Sequence, residues 1–160
     1  MLTQPRNRTT LDALQTLLTE VFKARDELYA AADALCDTDE SYICRRFADH
    51  LGGHAADLQQ ISCASGVQPS EPQSEDDHLE LLASIQEQHA SGSGLIAAVH
   101  VEHSLAEQYR RVMGLLEDAE IMSLLEKQRE DIELADCVLR RLTARSPGQP
   151  RNTAQTSQQT

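Results

Sequence analysis

The stretch SGVQPSEPQS, residues 65–74, divides the sequence into two long halves that both have helical patterns. Pro69 and Pro72 oppose a continuing helix, so this stretch is predicted to be a loop. Before it, apolar residues recur at steps of three and four over residues 10–36 and again over residues 40–63. This spacing predicts two amphipathic helices, A and B, joined by a few residues.

The half after the loop repeats this arrangement. The sequence SGSG at 91–94 interrupts the chain, helix C is predicted to begin near Leu95, and helix D to run over residues 119–142. A short helix is predicted at 74–89, within the long connection between B and C. Two hairpins joined by one long connection are typical of ferritin-like four-helix bundles. We therefore predict an all-α, ferritin-like bundle over residues 10–143.

Composition supports a helical, acidic protein. Only 3% of the residues are aromatic and there is no Trp, which favours helices over a β-sandwich. The net charge of −12, from 26 acidic against 14 basic residues, predicts no binding to nucleic acid or to an anionic membrane surface. Neither a signal-peptide-like apolar run nor a membrane-spanning segment is found, so a cytoplasmic location is expected. Residues 1–9 are predicted to be flexible, and residues 144–160 are predicted to form a disordered tail.

The four cysteines suit neither a zinc ribbon nor a redox pair. They are far apart and form no CxxC motif, and cytosolic disulfides are rare. We expect reduced thiols at all four positions, Cys36, Cys44, Cys63 and Cys137.

Polar residues interrupt the apolar stripe of each helix near its middle: Arg25 in A, His54 in B, Glu102 in C and Gln128 in D. Burying a charge costs several kcal/mol unless it is paired or bound to a metal. Ferritin-like di-metal proteins place Glu and His ligands at this level of the bundle. Tyr109, also on the stripe of C, is predicted to pack in the core with its hydroxyl hydrogen-bonded.

Four segments resemble the YciE/YciF group of bacterial stress-associated ferritin-like proteins. The most specific is LIAAVHVEHSLAEQY at 95–109, and the others are FADHLGGHAADLQQI at 47–61, EVFKARDEL at 20–28 and LLEKQREDIELADCVL at 124–139. Together they extend over most of the predicted bundle. The resemblance implies a ferritin-like fold, a link to stress and a homodimer.

The resemblance also implies that most metal ligands are missing. Glutamates expected in the first, second and fourth helices correspond to Arg25, Gly53 and Ile132, whereas Glu102 and Asp136 remain. Because a guanidinium cannot ligate a cation, a degenerate di-metal centre follows. We hypothesise that Arg25 and Glu102 form a buried ion pair in place of the metals. Gly53 and its neighbour Gly52 would either make space in this centre or kink the helix.

Two functions remain open. The first is a non-enzymatic, stress-associated structural or interaction protein that contains no metal. The alternative is a metal-binding oxidoreductase or ferroxidase-type protein with a reduced, His-containing site for Fe, Mn or Zn. No catalytic nucleophile is recognisable. If a metal binds, the candidate ligands are His50, His54, Asp57, Glu102, His103 and Asp136.

Overall fold

The computed structural model describes residues 8–36, 38–66 and 93–145. These residues form four α-helices and, within the described ranges, no β-strand. The helices are α1 Arg8–Ala34, α2 Asp39–Ala64, α3 Ser93–Met113 and α4 Ala119–Arg145. The predicted all-α class and the four helices A to D are confirmed.

The helix ends differ from the predicted ones by at most three residues. Helix α1 begins at Arg8, so part of the segment expected to be flexible is helical, and α4 continues to Arg145, beyond the predicted bundle limit. The predicted helix at 74–89 and nearly all of the predicted tail at 144–160 lie outside the described residues.

Side-chain caps begin two of the helices. The hydroxyl of Thr38 accepts a hydrogen bond from the backbone N–H of Ser41 at 3.1 Å, which satisfies a donor in the first turn of α2. In the same way Asp118 accepts from the backbone N–H groups of Glu120 and Ile121 at 3.0 and 3.1 Å, at the start of α4. These caps set the points at which the second helix of each hairpin begins.

Helix α1 packs against α2 and α3, and α4 packs against α3. The short connections make each hairpin antiparallel. A Cβ added to Gly94 would lie 3.2 Å from the Ala31 carbonyl oxygen, so the start of α3 lies against the end of α1. Helices α1 and α3 are therefore antiparallel as well, and α2 and α3 run in the same direction at opposite corners. Of the adjacent pairs, α2 and α4 approach each other least closely.

The core is rich in leucine and alanine. Leucines from all four helices are buried together with small residues such as Ala48 and Ala98, which allow close packing of the helices. No helix in the described part of the chain has the length and hydropathy needed to cross a membrane. The four cysteines are free thiols; Cys44 is buried, and Cys36, Cys63 and Cys137 are exposed.

Candidate functional site

Three helices are connected by hydrogen bonds in the centre of the bundle. Tyr109 of α3 is fully buried and donates its hydroxyl to Oε1 of Gln128 on α4, at 2.9 Å. The amide nitrogen of Gln128 donates to Asp57 Oδ2 of α2 at 3.2 Å and lies 3.5 Å from the backbone carbonyl oxygen of His54. The prediction that Tyr109 is a core residue with a hydrogen-bonded hydroxyl is confirmed.

Glu102 is the most deeply buried acidic side chain among the described residues. It is 1% exposed, and its Oε2 atom has no hydrogen-bond partner there. Burial, together with the negative charge of Asp136, raises the pKa of Glu102 from 4.5 to about 8. At neutral pH this side chain is therefore mostly a neutral carboxylic acid.

A small cavity connects Glu102 to the groove between α2 and α4. Glu102 and His54 both contribute to its wall, together with the exposed residues His50 and Asp131. His54 is 9% exposed, and its Nε2 lies 3.5 Å from Asp131 Oδ2, whereas its buried Nδ1 has no partner among the described residues. Burial lowers the pKa of His54, an effect opposed by Asp131. The imidazole is thus favoured in its neutral form.

Arg25 does not form the expected ion pair with Glu102. Its Nε and a terminal nitrogen both lie 2.9 Å from Asp26 Oδ1, and its guanidinium carbon is 4.8 Å from the centre of the Phe22 ring. The side chain is 30% exposed. The hypothesis of a buried Arg25–Glu102 pair is therefore wrong, because the long side chain turns outward to the neighbouring carboxylate and leaves Glu102 without this counter-charge.

The glycine pair does not create space for the centre. Gly53 is exposed and a Cβ there would meet nothing within 4 Å, while a Cβ on Gly52 would make an ordinary contact of 3.9 Å with Arg25 Cδ. Ile132, in contrast, is buried in the core. Of the five residues assigned to the degenerate centre, the structure brings Glu102 and Ile132 into the core and leaves Gly53 on the surface.

Asp136, the last of those five, lies at the edge of the bundle. Arg140 donates its Nε to both carboxylate oxygens, at 2.9 and 3.0 Å. His103 approaches the same carboxylate at 4.0 Å and is itself half-exposed. Asp136 is thus engaged with a surface arginine, and it acts on Glu102 through its charge.

The candidate metal ligands do not assemble into a metal centre. Within the described ranges, no three His, Cys, Asp or Glu side chains are grouped so that they could hold a metal ion. Asp57 is hydrogen-bonded to Gln128, and Asp136 to Arg140. A di-iron or mononuclear carboxylate site needs more ligands than this arrangement supplies, so these residues do not fit such a centre.

Asp131 is the site residue that sequence reasoning missed. It follows Gln128 by three positions, so it lies on a neighbouring part of the same face of α4. This three-residue spacing is the feature of the sequence that could have identified Asp131 as a site residue. Asp131 is exposed, yet its Oδ2 lies 3.5 Å from His54 Nε2, between the two least closely packed adjacent helices, α2 and α4.

The whole chain was also compared with known proteins. Family models, curated proteins and solved structures gave no match. The function of the protein is therefore inferred from the geometry of the bundle centre.

Proposed function

We propose that this chain is a ferritin-like bundle with a degenerate di-metal centre, acting in the cytoplasm as a non-enzymatic structural or interaction protein. The observation that carries the proposal is the position of Gln128, which links α2, α3 and α4 through a neutral amide. Its oxygen accepts from Tyr109 and its nitrogen donates to Asp57, so this amide offers no charged oxygen to a metal ion. Hydrogen bonds therefore connect the helices where metal ions would connect those of a di-iron protein.

The helix arrangement supports the ferritin-like part of the proposal. Helices α2 and α3 run in the same direction at opposite corners, and the sequence between them is long. Consecutive helices of a simple up-and-down bundle are antiparallel neighbours joined by short loops. The resemblance to the YciE/YciF group points to the same topology and to a role in stress.

Self-association is a second part of this proposal. The resembling family suggests a homodimer, and several large apolar side chains are available for such a contact. Leu134, on α4, is 64% exposed. Sedimentation velocity of the full chain should show a dimer. A monomer at all accessible concentrations would contradict this part.

Metal content tests the central claim directly. Protein purified without added metal should contain no stoichiometric ion by elemental analysis. Titration with Fe(II), Mn(II) or Zn(II) should leave the melting temperature unchanged, because a specific ligand of the folded state would raise it by mass action. The exposed-acid variant Glu126→Gln serves as a control for weak surface binding.

The opposite result would identify the alternative function. A stoichiometric ion that stabilises the protein, together with oxidase activity, would support a metal-dependent oxidoreductase and contradict the proposal. Loss of that ion in Glu102→Gln, with retention in Glu126→Gln, would locate it in the bundle centre.

A further inference from the structure

Two side chains that line the cavity between α2 and α4 each carry a buried polar atom without a hydrogen-bond partner among the described residues. These atoms are Oε2 of Glu102 and Nδ1 of His54. Leaving a buried polar atom unsatisfied destabilises the folded state, so two such atoms beside one cavity need an explanation. The cavity has room for about one water molecule.

We propose that this cavity is a binding site for a single water molecule, which bridges Glu102 Oε2 and His54 Nδ1 and connects Glu102 to solvent through Asp131. A buried water usually makes two to four hydrogen bonds to groups that would otherwise be unsatisfied. Glu102 Oε2 and His54 Nδ1 are two such groups at this cavity. A larger ligand is excluded by the size of the cavity.

The hydrogen bonds can all point in one direction. The neutral carboxyl of Glu102 donates to the water, the water donates to Nδ1 of His54, and the Nε2–H of the imidazole points to Asp131 Oδ2 at 3.5 Å. Asp131 is 50% exposed and is the last member of this series of hydrogen bonds, at the protein surface. The carboxyl O–H, one O–H of the water and the Nε2–H of the imidazole each have an acceptor in this arrangement, which defines the neutral tautomer of His54.

This series of hydrogen bonds from Glu102 to Asp131 is also a route for one proton. The O–H bond of Glu102 breaks as its proton passes to the water, and the water gives one of its own protons to Nδ1. The proton on Nε2 passes to Asp131 and then to solvent. The net change is the loss of one proton from Glu102, with the imidazole neutral in its other tautomer and no change in oxidation state.

Several other titratable groups lie near Glu102. The groups that face Glu102 are His50, His54 and Cys44 from α2, Tyr109 from α3, and Asp131 and Asp136 from α4. Among these, His54 is the group that lines the cavity and also has an unsatisfied nitrogen. From α1, Arg25 is directed to Asp26.

Oxygen-17 magnetic relaxation dispersion, which counts long-lived internal waters, tests the site. Glu102→Gln keeps polar atoms at the position and should retain the water, whereas Glu102→Leu should lose one water relative to the wild type. The exposed Glu126→Gln is the matched control and should lose none. If Glu102→Leu does not fold, His54→Leu serves the same purpose. An unchanged count in the folded apolar variant would overturn the proposal.

Carboxyl carbon-13 NMR of labelled glutamate tests the route. In the wild type, the Glu102 signal, assigned by its loss in Glu102→Gln, should shift continuously with pH because its proton exchanges rapidly. In His54→Leu the proton must wait for the helices to separate, so distinct signals of the neutral and ionised forms should appear. The same continuous shift in both proteins would contradict the relay.

Discussion

Replacing Glu102 with glutamine should stabilise the protein at neutral pH. Burial is the main cause that raises the pKa of Glu102 in the folded state from 4.5 to about 8. A folded-state pKa above the unfolded one gives stability that is complete below the unfolded value and is lost as pH rises through the folded one. The stability of the wild type should therefore fall between pH 4.5 and pH 8 relative to a variant that cannot ionise.

The structure gives the magnitude of this effect. Each unit of pKa difference corresponds to about 1.4 kcal/mol. From 4.5 to about 8 the loss amounts to roughly 5 kcal/mol, of which roughly 3 kcal/mol is already lost at about pH 7. Glutamine has the size of the neutral acid and cannot ionise. Glu102→Gln should thus unfold at a higher temperature than the wild type near neutral pH, by roughly 10 °C.

Urea unfolding followed by circular dichroism across this pH range measures the difference. Glu126→Gln, which removes one negative charge from an exposed position on α4, controls for the change in net charge. The free energies of unfolding of the wild type and Glu102→Gln should converge toward pH 4.5 and separate as pH rises. Two parallel curves would show that Glu102 is not a buried neutral acid and would refute the reasoning.

Three further predictions concern the surroundings of this residue and the helix ends. Tyr109→Phe leaves Gln128 Oε1 without its donor and should cost about 1–3 kcal/mol by urea unfolding; no loss would show that the hydroxyl contributes nothing. Thr38→Ala removes the N-cap of α2 and should cost about 1 kcal/mol, whereas Thr38→Ser should be neutral. Burial raises the pKa of Cys44 to about 12, so a thiol reagent should modify the native protein at the exposed Cys36, Cys63 and Cys137, and Cys44 only after unfolding.

Most of the helical structure could be predicted from the sequence because each helix has its own periodic apolar stripe. Pro69 and Pro72 divide the sequence into the two predicted hairpins. Within the described ranges, the errors in the helix assignment are confined to helix ends. There the first and last turns are determined by local hydrogen bonds and packing more than by periodicity, as the early start of α1 at Arg8 illustrates.

The centre was predicted less well, because a stripe position fixes where a Cα lies but not where the end of a long side chain lies. Glu102 and Gln128 are buried as expected. Arg25 occupies an inner-stripe position, yet its guanidinium lies over Phe22 and binds the next residue, Asp26. Long flexible side chains can reach water from the edge of a core at little cost. The identity of an arginine's partner therefore required the three-dimensional structure.

The neutral state of the buried side chains would allow this centre to hold no cation, as proposed. Tyr109 and Gln128 are uncharged at neutral pH, burial favours the neutral form of His54, and Glu102 retains its proton. A cluster of ionised carboxylates at the same level would require positive ions to offset their repulsion and desolvation. Here the proton on Glu102 neutralises one carboxylate, and Gln128 has an amide that carries no charge. Neither side chain therefore needs a positive ion beside it. The pH dependence of folding and the proposed independence from metal thus have one physical origin.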